Sequence, residues 1–276
     1  MIRRLWPPPC FARVLAGVLI LGSGSSAQGA AQTRIGPLLL RGSVIARSAH
    51  PVALAAYAGH VVYTVYDRGA NGWVLVDRTG RRSRRLPAAA ERRRPEPTMG
   101  TAVNGDLLVV WATNPDRLRE HYRLMALDLR TGSVRVIPGT AGALRGSVDG
   151  DRVVFVRADP DHVHRLYETT IAGREPRRLP LPAAMTSPDA GPPRPAYLTL
   201  RYVTVLGDLV AYVIDYHLDD PLSRSELWLD QTGQPPRRVA VEGTGGAASG
   251  LREFFAPRLL NPGRIVVFDE ERDQGN

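Results

Sequence analysis

A glycine, a polar or basic residue and then a run of β-forming apolar residues recur five times in this chain: Gly59-His60-Val61-Val62-Tyr63, Gly105-Asp106-Leu107-Leu108-Val109, Gly150-Asp151-Arg152-Val153-Val154, Gly207-Asp208-Leu209-Val210-Ala211 and Gly263-Arg264-Ile265-Val266-Val267. Successive copies lie 46, 45, 57 and 56 residues apart. A second signature follows the first four copies, an apolar run ending in Asp and then Thr-Gly: Asp77-Arg78-Thr79-Gly80, Asp128-Leu129-Arg130-Thr131-Gly132 and Asp230-Gln231-Thr232-Gly233, with Thr170-Ile171-Ala172-Gly173 as the degenerate third copy. An arginine-bearing strand closes each unit, as in Arg84-Arg85-Leu86, Arg135-Val136-Ile137, Arg177-Arg178-Leu179 and Arg237-Arg238-Val239. A fixed period of this length means that one supersecondary unit is repeated, and that each copy buries its apolar surface against its neighbours.

Each unit reads as four short strands joined by tight turns, and its second strand is apolar without alternation, as in Leu107 to Ala112. Alternation marks a sheet with one wet face, so a continuous run marks a strand buried on both faces. A β-sandwich offers only one buried face per sheet. The blades of a β-propeller pack face against face, and the pattern predicts an all-β propeller of about five four-stranded blades. The paired signatures resemble the TolB-type propeller repeat over roughly residues 50 to 276, with its proline-Asp-Gly element surviving as Asn104-Gly105-Asp106, Asp149-Gly150-Asp151, Leu206-Gly207-Asp208 and Asn261-Pro262-Gly263. The fifth unit supplies only two strands, and two apolar runs between Ile35 and Ala46 have no blade of their own. Completion of the last blade by these N-terminal strands is therefore expected, which leaves no open edge. An open or truncated propeller is the competing arrangement.

Residues 1 to 31 read as a secretory signal peptide, with Arg3, Arg4 and Arg13 before the apolar run Val14 to Gly22 and small residues around Ala27 to Ala31. That run is far shorter than a membrane-spanning helix, and no later one approaches such a length. The expected mature chain, 32 to 276, is one domain located outside the cytoplasm, in the periplasm, the cell wall or the medium. It has no cysteine, because Cys10 falls in the leader, so disulfides and thiol chemistry are excluded. The net charge of +9 comes from arginine alone, since lysine is absent, and loss of the leader's three arginines leaves +6. Basicity spread through the whole composition, in an exported chain, does not point to nucleic acid.

The loops leaving the second strands carry most candidate ligands: Asp159, Asp161, His162, His164, Asp215, His217 and Asp219. By blade topology they share one end of the sheets with the inter-blade connections. Carboxylates and imidazoles from several blades could hold a cation there, whereas Asp and Pro also open solvated loops by turn chemistry alone. No metal-binding spacing repeats, and no cofactor is implied. Asp106, Asp151 and Asp208 recur with the turn, so they read as turn residues rather than catalytic ones. No Gly-x-Ser-x-Gly element occurs, and no acid interrupts the second strands where a central carboxylate would belong.

Most arginine pairs fall on the fourth strand, where charge deters edge-to-edge association. Arg92, Arg93 and Arg94 lie instead in a connection and form the candidate polyanion site. Trp73, Trp111, Tyr167 and Trp228 sit within strand patterns and read as core. TolB-type propellers often serve as interaction platforms, so the resemblance implies a non-catalytic binding or scaffolding module. Its partner would be an envelope or extracellular protein, with an anionic polymer as a further ligand. A carbohydrate-active hydrolase or lyase working through the loop end is the alternative.

Overall fold

The computed structural model describes residues 31–35, 38–42, 54–88, 90–113, 122–160, 163–182, 197–217, 224–243, 251–260 and 264–272. Every regular element among them is a β-strand. The chain divides into two compact units, Met1–Val52 and Ala53–Asn276. The first holds one antiparallel pair, β1 (Ala31–Ile35) and β2 (Leu38–Gly42), in register from Ala31↔Gly42 to Ile35↔Leu38.

The second unit is built from repeated antiparallel sheets. The first comprises β3 (Leu54–Tyr57), β4 (His60–Asp67), β5 (Gly72–Thr79) and β6 (Arg82–Arg85). The second comprises β7 (Thr98–Thr101), β8 (Leu107–Thr113), β9 (Arg123–Asp128) and β10 (Val134–Val136). The third has β11 (Ala143–Asp149), β12 (Arg152–Ala158), β13 (His164–Thr170) and β14 (Arg177–Arg178). The fourth has β15 (Tyr197–Leu206), β16 (Leu209–His217), β17 (Arg224–Gln231) and β18 (Arg237–Gly243). Each of these four sheets follows chain order, and β19 (Leu251–Leu260) with β20 (Arg264–Arg272) forms a two-stranded fifth. This is the meandering blade of a β-propeller. The repeat register holds throughout: Gly59, Gly105, Gly150 and Gly207 all have positive φ, each in the turn that joins the first and second strands.

The continuous apolar runs behave as their lack of alternation predicts. In β8, Val109 and Trp111 join a cluster with Ala55, Val62 and Leu75 of the first sheet. Leu108 and Val110 of the same strand face Val148, Val153 and Phe155 of the third. In β12, Val153 and Phe155 turn back to the second sheet, while Val154 and Val156 meet Leu200, Val205, Val210, Tyr212 and Ile214 of the fourth. Each middle strand thus serves two interfaces, which only stacked blades provide.

The first strands set the spacing between blades. A Cβ on Gly100 in β7 would stand 1.8 Å from the Val148 carbonyl oxygen of β11, so only glycine admits this approach of two backbones. Thr98 Oγ1 donates to the Gly146 carbonyl at 2.7 Å and Thr101 Oγ1 to Asp149 Oδ1 at 3.1 Å. Asp149 Oδ2 in turn accepts the Gly207 amide at 2.7 Å, which ties three successive blades through one carboxylate.

The fourth strands lie at the outer edge as expected, with Arg82 to Arg85 and Arg177 to Arg178 exposed. Trp111 and Tyr167 are buried, whereas Trp73 and Trp228 are only partly so. Among the described residues β1 pairs with β2 within the first unit, and β19 with β20 within the second. Residues 1 to 30 of the expected leader lie outside the described residues, and Ala31, its last residue, opens β1.

Candidate functional site

Three first strands depart from regular pairing. The register slips between Ala143 and Arg145 in β11, between Arg201 and Thr204 in β15, and between Phe255 and Arg258 in β19. A bulge redirects the side chains beside it, and such irregularities favour functional surfaces. In β15 the bulge puts Tyr202 at a φ of 49°, in the left-handed region that tyrosine rarely adopts.

Side chains from three blades meet at these bulges. Arg145 Nε pairs with Glu96 Oε2 at 2.8 Å, across from the connection that leads into β7. The same guanidinium lies 5.3 Å from the centroid of the Tyr202 ring. Glu96, Arg145 and Tyr202 are each only partly buried, so this chain of contacts is accessible. Arg201, the neighbour of Tyr202, turns to Asp215 Oδ2 at 2.8 Å, and Ser225 Oγ donates to Asp215 Oδ1 at 2.8 Å.

Asp215 corrects two expectations. It belongs to β16 rather than to a loop, and it is the acid within a second strand that the sequence reading did not see there. Its carboxylate is 3% exposed and tolerates burial because Arg201 and Ser225 compensate it. Asp159 does follow a second strand, yet its carboxylate is also committed. Arg157 Nε donates to it at 2.9 Å, Arg165 Nη1 at 2.8 Å and the Tyr167 hydroxyl at 2.7 Å. Burial pushes this carboxyl up, but the Tyr167 and Arg157 hydrogen bonds and the two guanidinium charges hold it below the ordinary aspartate range. Tyr167 is raised in exchange, by burial first and then by its bond to Asp159.

His164 opens β13 and pairs through its backbone with Ala158, so it shares a hairpin end with Asp159. His217 ends β16, paired with Tyr197. Asp161, His162 and Asp219 lie outside the described residues. Among the described residues no three His, Cys, Asp or Glu side chains cluster as a metal site. Arg92, Arg93 and Arg94 are exposed, and Arg93 Nη1 donates to the Tyr122 hydroxyl at 2.8 Å.

The opposite sheet ends carry the repeated turn acids. Arg130 meets Asp106 through two hydrogen bonds of 2.9 and 2.8 Å, which hold the Asp106 carboxyl below its ordinary range. Asp208 Oδ2 accepts from Gln231 Nε2 at 2.9 Å. Each bond ties the first turn of a blade to the second, as a structural repeat requires.

The chain is similar in fold to known propellers. It matches TolB of Acinetobacter baumannii with a TM-score of 0.46 and 12% identity, over 79% of this chain and 51% of that one. The β-propeller domain of the Trilobed protease of Pyrococcus furiosus, described as having an open velcro topology, matches at 0.41 and 11%, over 81% and 64%. The α-L-arabinofuranosidase of Lactobacillus brevis matches at 0.46 and 10%, over 82% and 85%. The chain therefore spans about half the length of the A. baumannii TolB. No family model matches the chain, and no curated protein matches it.

Proposed function

We propose that this propeller is a non-catalytic binding module that works outside the cytoplasm and engages an envelope or extracellular protein at the bulges of its first strands. The observation that carries the reading is the Glu96, Arg145 and Tyr202 chain, in which partly exposed side chains from three blades are fixed by one another. Arginine and tyrosine dominate the energetics of protein interfaces, and side chains already held in place lose little entropy on binding. The acids that follow or end the second strands favour binding over hydrolysis. A glycosidic acid must keep its proton near neutral pH, whereas Asp159 is held ionised and Asp215 sits in an ion pair. The extracytoplasmic location rests on Arg3, Arg4, Arg13 and the apolar run behind them.

The test places a photoreactive phenylalanine at position 202 of the full chain in its host. A discrete adduct with one envelope or extracellular protein is expected. Arg145→Glu should abolish it while the thermal midpoint of the purified protein holds. Turnover of aryl glycosides that disappears in Asp215→Asn would overturn the reading.

A further inference from the structure

The connection between β6 and β7, which ends in Glu96, carries a second feature, and its ends are clamped. Trp73 and Glu91 exchange both backbone hydrogen bonds, at 2.6 and 2.8 Å, as an isolated bridge against β5. Gly72 makes room for this, since a Cβ there would lie 2.9 Å from the Glu91 carbonyl oxygen. The Glu91 carboxylate accepts from Trp111 Nε1 at 3.2 Å and from Thr113 Oγ1 at 2.6 Å, which joins the connection to the second sheet. Downstream, Pro95 and Pro97 are buried and Glu96 pairs with Arg145. Between these anchors Arg92, Arg93 and Arg94 are all exposed. An arginine run on a loose loop needs no ligand, but this one is displayed on a short segment held at both ends.

The surroundings reinforce the charge and add aromatic faces. Arg68 in the β4–β5 turn and Arg123 at the start of β9 are also exposed. The acids of the segment and of the β4–β5 hairpin end are engaged: Glu91 and Glu96 as above, and Asp67 with Arg85 and with the Gly69 and Ala70 amides. Tyr66 stands edge-on to Trp73 at 5.6 Å between centroids and is 43% exposed. Trp73 is itself the residue bridged to Glu91, so the aromatic pair abuts the arginine segment.

We infer that this segment binds an anionic polysaccharide, its carboxylate or sulfate groups on Arg92, Arg93 and Arg94 and a sugar face on Tyr66. Guanidinium forks match carboxylate and sulfate geometry, and a phenol ring offers the flat apolar face that a pyranose covers. An edge-guarding role does not account for the run, because these arginines are not on a strand. A nucleic acid would call for several aromatic platforms along a basic groove. A protein partner would call for an apolar centre within the charged rim.

The test titrates the full chain with polygalacturonate, heparin, neutral dextran, poly-L-glutamate and a DNA duplex over a range of NaCl. Binding to polygalacturonate or heparin, weakening with salt, is expected, with none to dextran. The combined variant Arg92→Gln, Arg93→Gln, Arg94→Gln should lose affinity by about tenfold or more and flatten the salt dependence. Arg92→Gln alone, at an exposed side chain, covers a failure of the combined variant to fold and should show a smaller loss. Arg82→Gln on the outer edge should change nothing. Tyr66→Ala should weaken glycan binding and leave poly-L-glutamate unaffected. Unchanged glycan affinity in the arginine variants overturns the inference. So does equal or tighter binding of poly-L-glutamate or DNA, with Tyr66→Ala without effect on the glycans.

Discussion

Val154 and Phe155 are consecutive in β12 and both fully buried, yet they belong to different interfaces. Val154 packs toward the fourth sheet. Phe155 packs toward the second and stacks on Tyr167 at 5.7 Å and 23°. If blades are stacked as described, truncating either residue must open a cavity. Val154→Ala removes two methyl groups, about 1.5 to 3 kcal/mol with the cavity included. Phe155→Ala should cost about 3 to 5 kcal/mol, the lost ring stacking included. In a unit of this size these losses correspond to falls in Tm of about 2 to 4 °C for each kcal/mol. Urea titration followed by tryptophan fluorescence reads both, and the midpoint should fall while the slope m stays near that of the parent. A sheet with one wet face must leave one of two adjacent residues exposed, and its substitution would then register within about 0.5 kcal/mol. A result of that kind at either position would refute the stacked-blade reasoning, whatever the other did.

Two acids should respond to pH in opposite directions. Burial raises the Asp230 carboxyl, and the Arg152 charge opposes this only in part, with Glu168 adding to the rise. The folded chain then holds this proton more tightly than the unfolded chain, so the site destabilises when ionised and gains as pH falls through its folded value. Asp230→Asn should accordingly raise the urea midpoint at pH 7 and weaken the gain on acidification, and a lower midpoint would refute this. Asp159 is lowered, so its contribution is complete above the ordinary aspartate value and is lost as pH falls through the folded one. Asp159→Asn should lower the midpoint at pH 7 and converge with the parent in strong acid. Gly100→Ala drives a Cβ into the Val148 carbonyl oxygen and should cost about 3 kcal/mol, measured by the same titration, with a loss under about 1 kcal/mol counting against the close approach.

The repeated part of the chain was readable because repetition multiplies weak signals. No single Gly-Asp turn identifies a blade, but Gly59, Gly105, Gly150 and Gly207 in register place four hairpins at once. The unbroken run Leu107 to Ala112 likewise required two buried faces, and both were found. The residues proposed to bind were harder to read because their geometry comes from departures from the repeat. Asp215 reads as a loop residue when strands are drawn at average length, whereas β16 extends to His217. Arg201 and Ser225 make the longer strand tolerable by compensating the buried carboxylate, and those partners are 14 and 10 residues away in sequence. The bulge at Tyr202 has no signature in a string of β-formers such as Leu198 to Leu206, because its cause is the packing of β15 between β11 and β16. Glu96 and Arg145 are 49 residues apart and carry no motif.

In a repeat protein, what every copy shares serves the scaffold, because a ligand site is needed once. By that criterion Asp106 and Asp208, bonded to Arg130 and Gln231 in equivalent turns, belong to the scaffold. The features without counterparts lie elsewhere in the sheets. Tyr202 is the one residue within a strand, among those described, to adopt positive φ. The clamped arginine segment follows the first blade, where its anchor Glu91 forms the one isolated bridge among the described residues. The connection after the second blade, by contrast, is closed by Thr140, which accepts the Leu124 amide and donates to the Ile137 carbonyl without displaying charge. Drawing the Glu91 carboxylate partly out of water against Trp111 and holding Tyr202 in a rare conformation both cost stability that a plain blade would keep. Both costs fall on residues that position arginines, Arg145 and the segment Arg92 to Arg94, which is what the proposed binding roles require.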